Sequence, residues 1–192
     1  MFHVNIKIFL FVIVVVISFS SIADSRVWSG GDVGRNYQAR LSLQADGDGV
    51  LRVWRSGEIR QKFQADYVIL EKGMFSRVWR GGDVKQNFQA IWTIGSRSGQ
   101  FRMWRGSDAK QNFQAHFTAQ TDKHGTLRIW RGGDVRQNYQ AEYSAKYFPD
   151  GTMRVWLGGE PKQNYQALAS ISRANEIPPC VLIFIITRLL GD

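Results

Sequence analysis

One unit is written six times in this chain of 192 residues. Its clearest copy runs Arg77-Val78-Trp79-Arg80, then Gly81-Gly82-Asp83, then Gln86-Asn87-Phe88-Gln89-Ala90. The tryptophans that mark the units are Trp28, Trp54, Trp79, Trp104, Trp130 and Trp156, spaced by 26, 25, 25, 26 and 26 residues. A fixed period of this length marks a stack or ring of one small supersecondary unit. It argues against a single asymmetric active site and for multivalent binding or for building material.

Within a unit, two strands are expected. The first is short, as in Leu51-Arg52-Val53-Trp54-Arg55 or Phe101-Arg102-Met103-Trp104-Arg105. Paired glycines such as Gly81-Gly82 and Gly132-Gly133 follow it and suit a two-residue hairpin, because both central positions take positive φ without a Cβ penalty. Arg80 and Asp83 bracket the first pair, Arg105 and Asp108 bracket Gly106-Ser107, and Arg131 and Asp134 bracket the third. In a two-residue hairpin such residues face each other and close the turn, a pairing worth roughly 0.2–1 kcal/mol. The second strand alternates: Phe88, Ala90, Trp92 and Ile94 share one face, while Asn87 and Gln89 take the other. This geometry pairs Trp79 with Val84 and puts Trp79 on the apolar, core-like face with Phe88, Trp92 and Ile94.

Six such units predict an all-β domain of six tandem ~26-residue strand–turn–strand repeats, about twelve antiparallel strands closed as a barrel, prism or solenoid. A propeller is disfavoured, since its blades need four strands and ~40 or more residues. No helix signal stands in the repeats.

The ends differ from this pattern. Lys7, the apolar run Ile8 to Ile17 and Ser21-Ile22-Ala23 have the layout of a secretory signal peptide over residues 1–23. Cleavage after Ala23 and a secreted, extracellular location are expected. Residues 24–173 form the repeat domain, and residues 174–192 an apolar tail. There Ile177-Pro178-Pro179 breaks any strand, and Val181 to Ile186, interrupted at Arg188, is short for a membrane span. The tail reads as a packed terminal strand, as a lipid-anchor signal with small residues near Ser170 to Ala174, or as an artefact of how the gene was read, and no stable membrane span is predicted. Cys180, outside the repeats, is the single cysteine, so a disulfide framework within the chain is excluded.

Charge and chemistry narrow the function. Formal net charge is +9; without residues 1–23, 24 basic and 16 acidic groups remain, net +8. That balance favours anionic partners such as acidic glycans. His116 and His124 sit in no repeated context, and no nucleophile elbow, phosphate loop or metal signature is present. The chain therefore reads as no enzyme, with no metal or cofactor. Secretion argues against a specific nucleic-acid partner.

Arg77 and Trp79, Arg102 and Trp104, and Arg128 and Trp130 each put a guanidinium and an indole on one strand face. Sugar rings stack on aromatic faces, and Asn, Gln and Asp supply directional hydrogen bonds to hydroxyls. The candidate ligand-binding residues are therefore Arg77, Trp79, Asp83, Asn87, Gln89, Arg102, Asp108, Asn112, Gln114, Arg128, Asp134, Asn138 and Gln140. The competing role for the tryptophans is a packed core or a cation–π ladder.

One stretch, Gln44-x-Asp46-x-Asp48-x-Val50, resembles part of the mannose-binding signature of the bulb-type lectins, Gln-x-Asp-x-Asn-x-Val-x-Tyr. Asp48 stands in place of the Asn and Arg52 in place of the Tyr, and Gln120-x-Asp122 begins the pattern but departs at His124. The expected function is a secreted, lectin-like multivalent binder of glycans or anionic surface polymers, with self-association as a further expectation. The alternative is a matrix, coat or fibre component of stacked β repeats. In general design the units resemble the curli-type repeats of extracellular fibres, although they are longer and richer in Trp and Arg.

Overall fold

The computed structural model describes residues 24–46 and 48–190; the signal-peptide reading falls on residues 1–23, outside these. Twelve strands follow one another in chain order: β1 (Ser25–Ser29), β2 (Leu41–Ala45), β3 (Val50–Trp54), β4 (Tyr67–Lys72), β5 (Phe75–Arg80), β6 (Trp92–Arg97), β7 (Gln100–Arg105), β8 (Phe117–Thr121), β9 (Thr126–Arg131), β10 (Tyr143–Tyr147), β11 (Met153–Leu157) and β12 (Ala169–Ile171). Each pairs antiparallel with its sequence neighbours, and β1 closes on β12 with Val27 opposite Ile171. The result is a closed meander barrel, one of the three closures expected.

The connections are the reverse of the expected ones. Tight hairpins join one unit to the next: Lys72 faces Phe75 across Gly73 and Met74, and Arg97 faces Gln100 across Ser98 and Gly99. The Gly81-Gly82 pair instead opens the long connection from β5 to β6, in which Asn87–Gln89 is a 3-10 turn. Val78, not Trp79, stands opposite Trp92. The Arg80–Asp83, Arg105–Asp108 and Arg131–Asp134 pairs are not made; Arg131 binds Glu142 instead, at 2.8 Å. The stretch from Asn87 to Ile94, read as one alternating strand, is therefore a turn up to Gln89 and a strand from Trp92.

This register sorts the two faces. Inside the barrel lie Val53, Ile69, Val78, Ile94, Met103, Ile129 and Val155, all buried. Trp79 falls on the outer face, beside Val68 and Arg77, and is nevertheless only 1% exposed. The long connection folds back over it: the Trp79 indole Nε1 donates to the Gln86 carbonyl at 3.1 Å. The same bond holds Trp28 to Arg35, Trp104 to Gln111, Trp130 to Gln137 and Trp156 to Gln163. Trp54 is equally buried, but its indole N–H has no partner among the described residues.

The tail is neither a strand nor a separate element. Its apolar stretch is a helix, α1 (Pro179–Arg188), with Pro179 in the first turn, where a missing N–H costs nothing. Residues from Cys180 to Thr187 are all buried, so α1 is apolar all round, as a helix enclosed by protein must be. It runs down the barrel: Ser76 Oγ meets Cys180 Sγ at 3.0 Å near its start, and Arg188 lies over the Trp92 ring at its end.

Geometry explains why a helix fits. With about 4.8 Å between strands and a usual tilt near 40°, twelve strands enclose a barrel about 24 Å across at the backbone. A helix with its side chains fills about 10–12 Å of that, leaving roughly 6 Å on each side for the strand side chains. Side chains of the strands alone would leave a void, and α1 removes it.

Candidate functional site

The outer layer is built from contacts between units. In each unit the arginine two residues before the tryptophan lies flat along the sheet and its Nε donates to a glycine or serine carbonyl one unit on. Arg26 reaches Gly57 at 3.2 Å, Arg52 Gly82 at 2.7 Å, Arg77 Ser107 at 3.2 Å and Arg102 Gly133 at 3.1 Å. Arg128 then reaches Gly159 at 2.7 Å, and Arg154 returns to Gly31 at 2.6 Å. Six bonds form an unbroken circle. Arg128 also binds Asp122 and Glu160.

The connections interlock as tightly. Gly82 sits so close to the preceding unit that an added Cβ would overlap the Lys62 carbonyl, and the first glycine of the pair, Gly81, has φ +89°. Ser or Thr hydroxyls on the preceding, paired strand hold the corresponding turns: Thr93 donates to Gly106 at 2.9 Å and Thr118 to Gly132 at 2.8 Å.

These contacts divide the predicted site residues in two. Trp79, with Arg77, Arg102 and Arg128, is committed to the frame, its indole buried and the three guanidiniums bonded to backbone. Gln114 and Gln140 are exposed, but their side-chain oxygens accept the N–H of Gln111 at 3.3 Å and of Gln137 at 3.2 Å, and so brace the turn. Asp83, Asp108, Asp134, Asn87, Asn112, Asn138 and Gln89 are exposed, and the side chains of the three asparagines make no hydrogen bond among the described residues.

The residues resembling the lectin signature are likewise engaged. Gln44 donates to Asp24, and Asp46 binds Arg52 and Lys62. Burial raises the Asp46 pKa, but the Lys62 and Arg52 bonds outweigh it and leave the carboxyl below its ordinary range.

The feature not foreseen is the aromatic residue at the centre of each 3-10 turn. Tyr37 is 65% exposed, Phe63 68%, Phe88 72%, Phe113 71%, Tyr139 75% and Tyr165 82%. Strand alternation had put Phe88 in the core. In the folded chain its 3-10 turn is held at both ends, with Ala90 buried against the sheet and the ring turned to solvent. The connection that holds each ring also carries an acid in its sequence (Asp32, Glu58, Asp83, Asp108, Asp134, Glu160) and, in five units, an Asn. Neighbouring units are two strands apart, so the rings recur on the order of 10 Å along the sheet.

Among the described residues no cluster of His, Cys, Asp and Glu could hold a metal ion. No helix there is long and apolar enough to cross a membrane.

No family model matches the chain, and no curated protein matches it. Among solved structures it is similar to Hsv2p of Kluyveromyces lactis, at 11% identity and TM-score 0.29, over 66% of this chain and 60% of that one. It is also similar to the computationally designed Ika8 protein, at 13% identity and TM-score 0.28, over 74% of this chain and 63% of that one. Likeness at this level fixes neither fold nor function.

Proposed function

We propose that this is a secreted, non-enzymatic, multivalent binding protein that captures glycan chains or anionic surface polymers on the six rings of its outer turns. The observation that carries this reading is the set of six aromatic side chains, each at least 65% exposed, standing at the centre of the same 3-10 turn in every unit. A ring left in water six times over, by a fold that buries six larger indoles a few residues away, is held out for contact. Sugar CH faces stack on such rings, while the adjacent carboxylate and carboxamide supply polar partners for hydroxyls. Single contacts of this kind are weak. Six on one rigid scaffold convert later contacts into intramolecular ones and raise avidity. Net positive charge adds a preference for acidic chains that weakens with salt. Secretion rests on the leader pattern from Lys7 to Ala23.

The stacked-repeat fibre is placed second. A closed barrel has no sheet edge for another chain to extend, so assembly would have to use side chains.

The test is a glycan array probed at low and moderate salt with the protein and with a Phe63→Ala, Phe88→Ala, Phe113→Ala variant. The variant should keep its melting temperature and lose capture by more than about tenfold, since avidity falls with each ring removed. Undiminished capture by the variant would overturn the reading.

A further inference from the structure

We propose that the mouth of the barrel at its long-connection end binds a phosphate or sulfate monoester between Arg80, Arg105 and His116. A cavity of about 620 Å³ opens there, lined by these three residues with Ile91, Trp92 and Arg188, and among the described residues no carboxylate lines it.

The site arises from a break in the six-fold pattern. Four units follow the tryptophan with arginine: Arg55, Arg80, Arg105 and Arg131. In two of them the residue just before the next strand is acidic. Glu142 holds the Arg131 guanidinium through bonds of 2.9 and 2.8 Å, and Asp66 lies against Arg55, accepting its backbone N–H at 2.7 Å. The matching positions in the two units at the cavity are Ile91 and His116. Arg80 and Arg105 consequently make no ion pair among the described residues, and both are exposed at the mouth.

The surroundings suit an oxyanion carried on an organic group. Guanidinium forks match the oxygens of phosphate and sulfate, and give charge-assisted bonds. Burial lowers the pKa of His116, and Arg105, Lys110 and Arg188 lower it further, so the field at the mouth is positive. Below the cations, Trp92 meets His116 edge-on at 5.4 Å and lies under the Arg188 guanidinium at 5.1 Å. Trp92 and Ile91 form an apolar floor that a bare ion does not use and the carbon skeleton of a sugar ester does. The volume also exceeds the needs of a bare ion.

Calorimetric titration of the whole protein with inorganic phosphate, inorganic sulfate, glucose 6-phosphate and glucose 6-sulfate tests this. The esters should bind, and bind more tightly than the free ions. An Ile91→Asp, His116→Glu variant installs the acids that Asp66 and Glu142 supply at the same register, and should weaken ester binding at least tenfold. An Arg80→Gln, Arg105→Gln variant, altered only at exposed side chains, should do the same at unchanged melting temperature. The variant lacking Phe63, Phe88 and Phe113 should retain ester binding, which separates this site from capture on the outer rings. Absence of ester binding, equal affinity in the charge variants, or free ions binding as tightly as the esters would each overturn the assignment.

Discussion

Arg154 Nε donates to the Gly31 carbonyl at 2.6 Å across 123 residues of sequence, joining the sixth unit to the first. The same bond made five times between adjacent units is local; here it spans almost the whole repeat domain. Together with the pairing of β1 and β12 it makes the outer layer a closed circle.

The seam should therefore be as strong as any other join. Hydrogen bonds to charged groups contribute about 1.5–3 kcal/mol, and for these half-buried side chains the lower end applies. Arg154→Leu and Arg77→Leu should each destabilise by about 1–2 kcal/mol, read from urea midpoints with unchanged slopes. A silent Arg154→Leu beside a costly Arg77→Leu would mean that the circle is open in solution.

Gly82 offers a test of how closely the units interlock. A Cβ there would overlap the Lys62 carbonyl, which belongs to backbone and cannot swing aside. Gly82→Ala should cost about 2–3 kcal/mol by forcing the turns apart. The equivalent residue one unit later is Ser107, which already carries a Cβ, so Ser107→Ala should lie within about 0.5 kcal/mol of the parent. Thermal melting of the pair would sink the account if both variants behaved alike.

The repeat and its strand content were legible because a fixed period and tandem tryptophans survive any error of register. The side on which each residue falls was not. Two turn-rich segments alternate in every unit, and the Arg80…Asp83 bracket made the wrong one look like the hairpin. Moving the hairpin to Gly73 and Gly99 inverted Trp79 and released Phe88 from the core. One signal could have corrected this: a strand running from Asn87 to Ile94 would outreach a five-residue first strand such as Leu51 to Arg55. The tail held a similar signal. Pro178-Pro179 before an unbroken apolar run is as much a helix start as a strand break. What no local pattern reveals is that a twelve-stranded barrel needs a filler, because that need appears only when the ring closes.

The filler should matter as much as any strand. Phe184 on α1 is 1% exposed and packs edge-on against Tyr67 at 5.3 Å between centroids. Phe184→Ala should cost about 3–5 kcal/mol, the usual range for a core phenylalanine. Tryptophan fluorescence, which reports the barrel, and far-ultraviolet dichroism should still change in one transition. A cost below about 1 kcal/mol would show that α1 is dispensable to the barrel.

Cys180 supplies the last prediction, with its sign fixed by burial. Removal from water pushes its thiol from an ordinary value of 9.0 to about 11, with the Ser76 hydrogen bond opposing part of the rise. Between those values the unfolded chain loses the thiol proton while the folded chain keeps it. Folding is then opposed by rising pH, the loss beginning near 9 and complete above about 11. About two pKa units correspond to at most about 3 kcal/mol. Other groups titrate in this range, so the measurement is a difference: urea unfolding of the parent and of Cys180→Ala from neutral pH to pH about 11. The parent should lose stability faster than the variant across that window, and its thiol should react with a thiol reagent only on unfolding. Parallel pH profiles, or rapid labelling of the folded protein, would show that water reaches Cys180 and that the end of α1 is not sealed in the barrel.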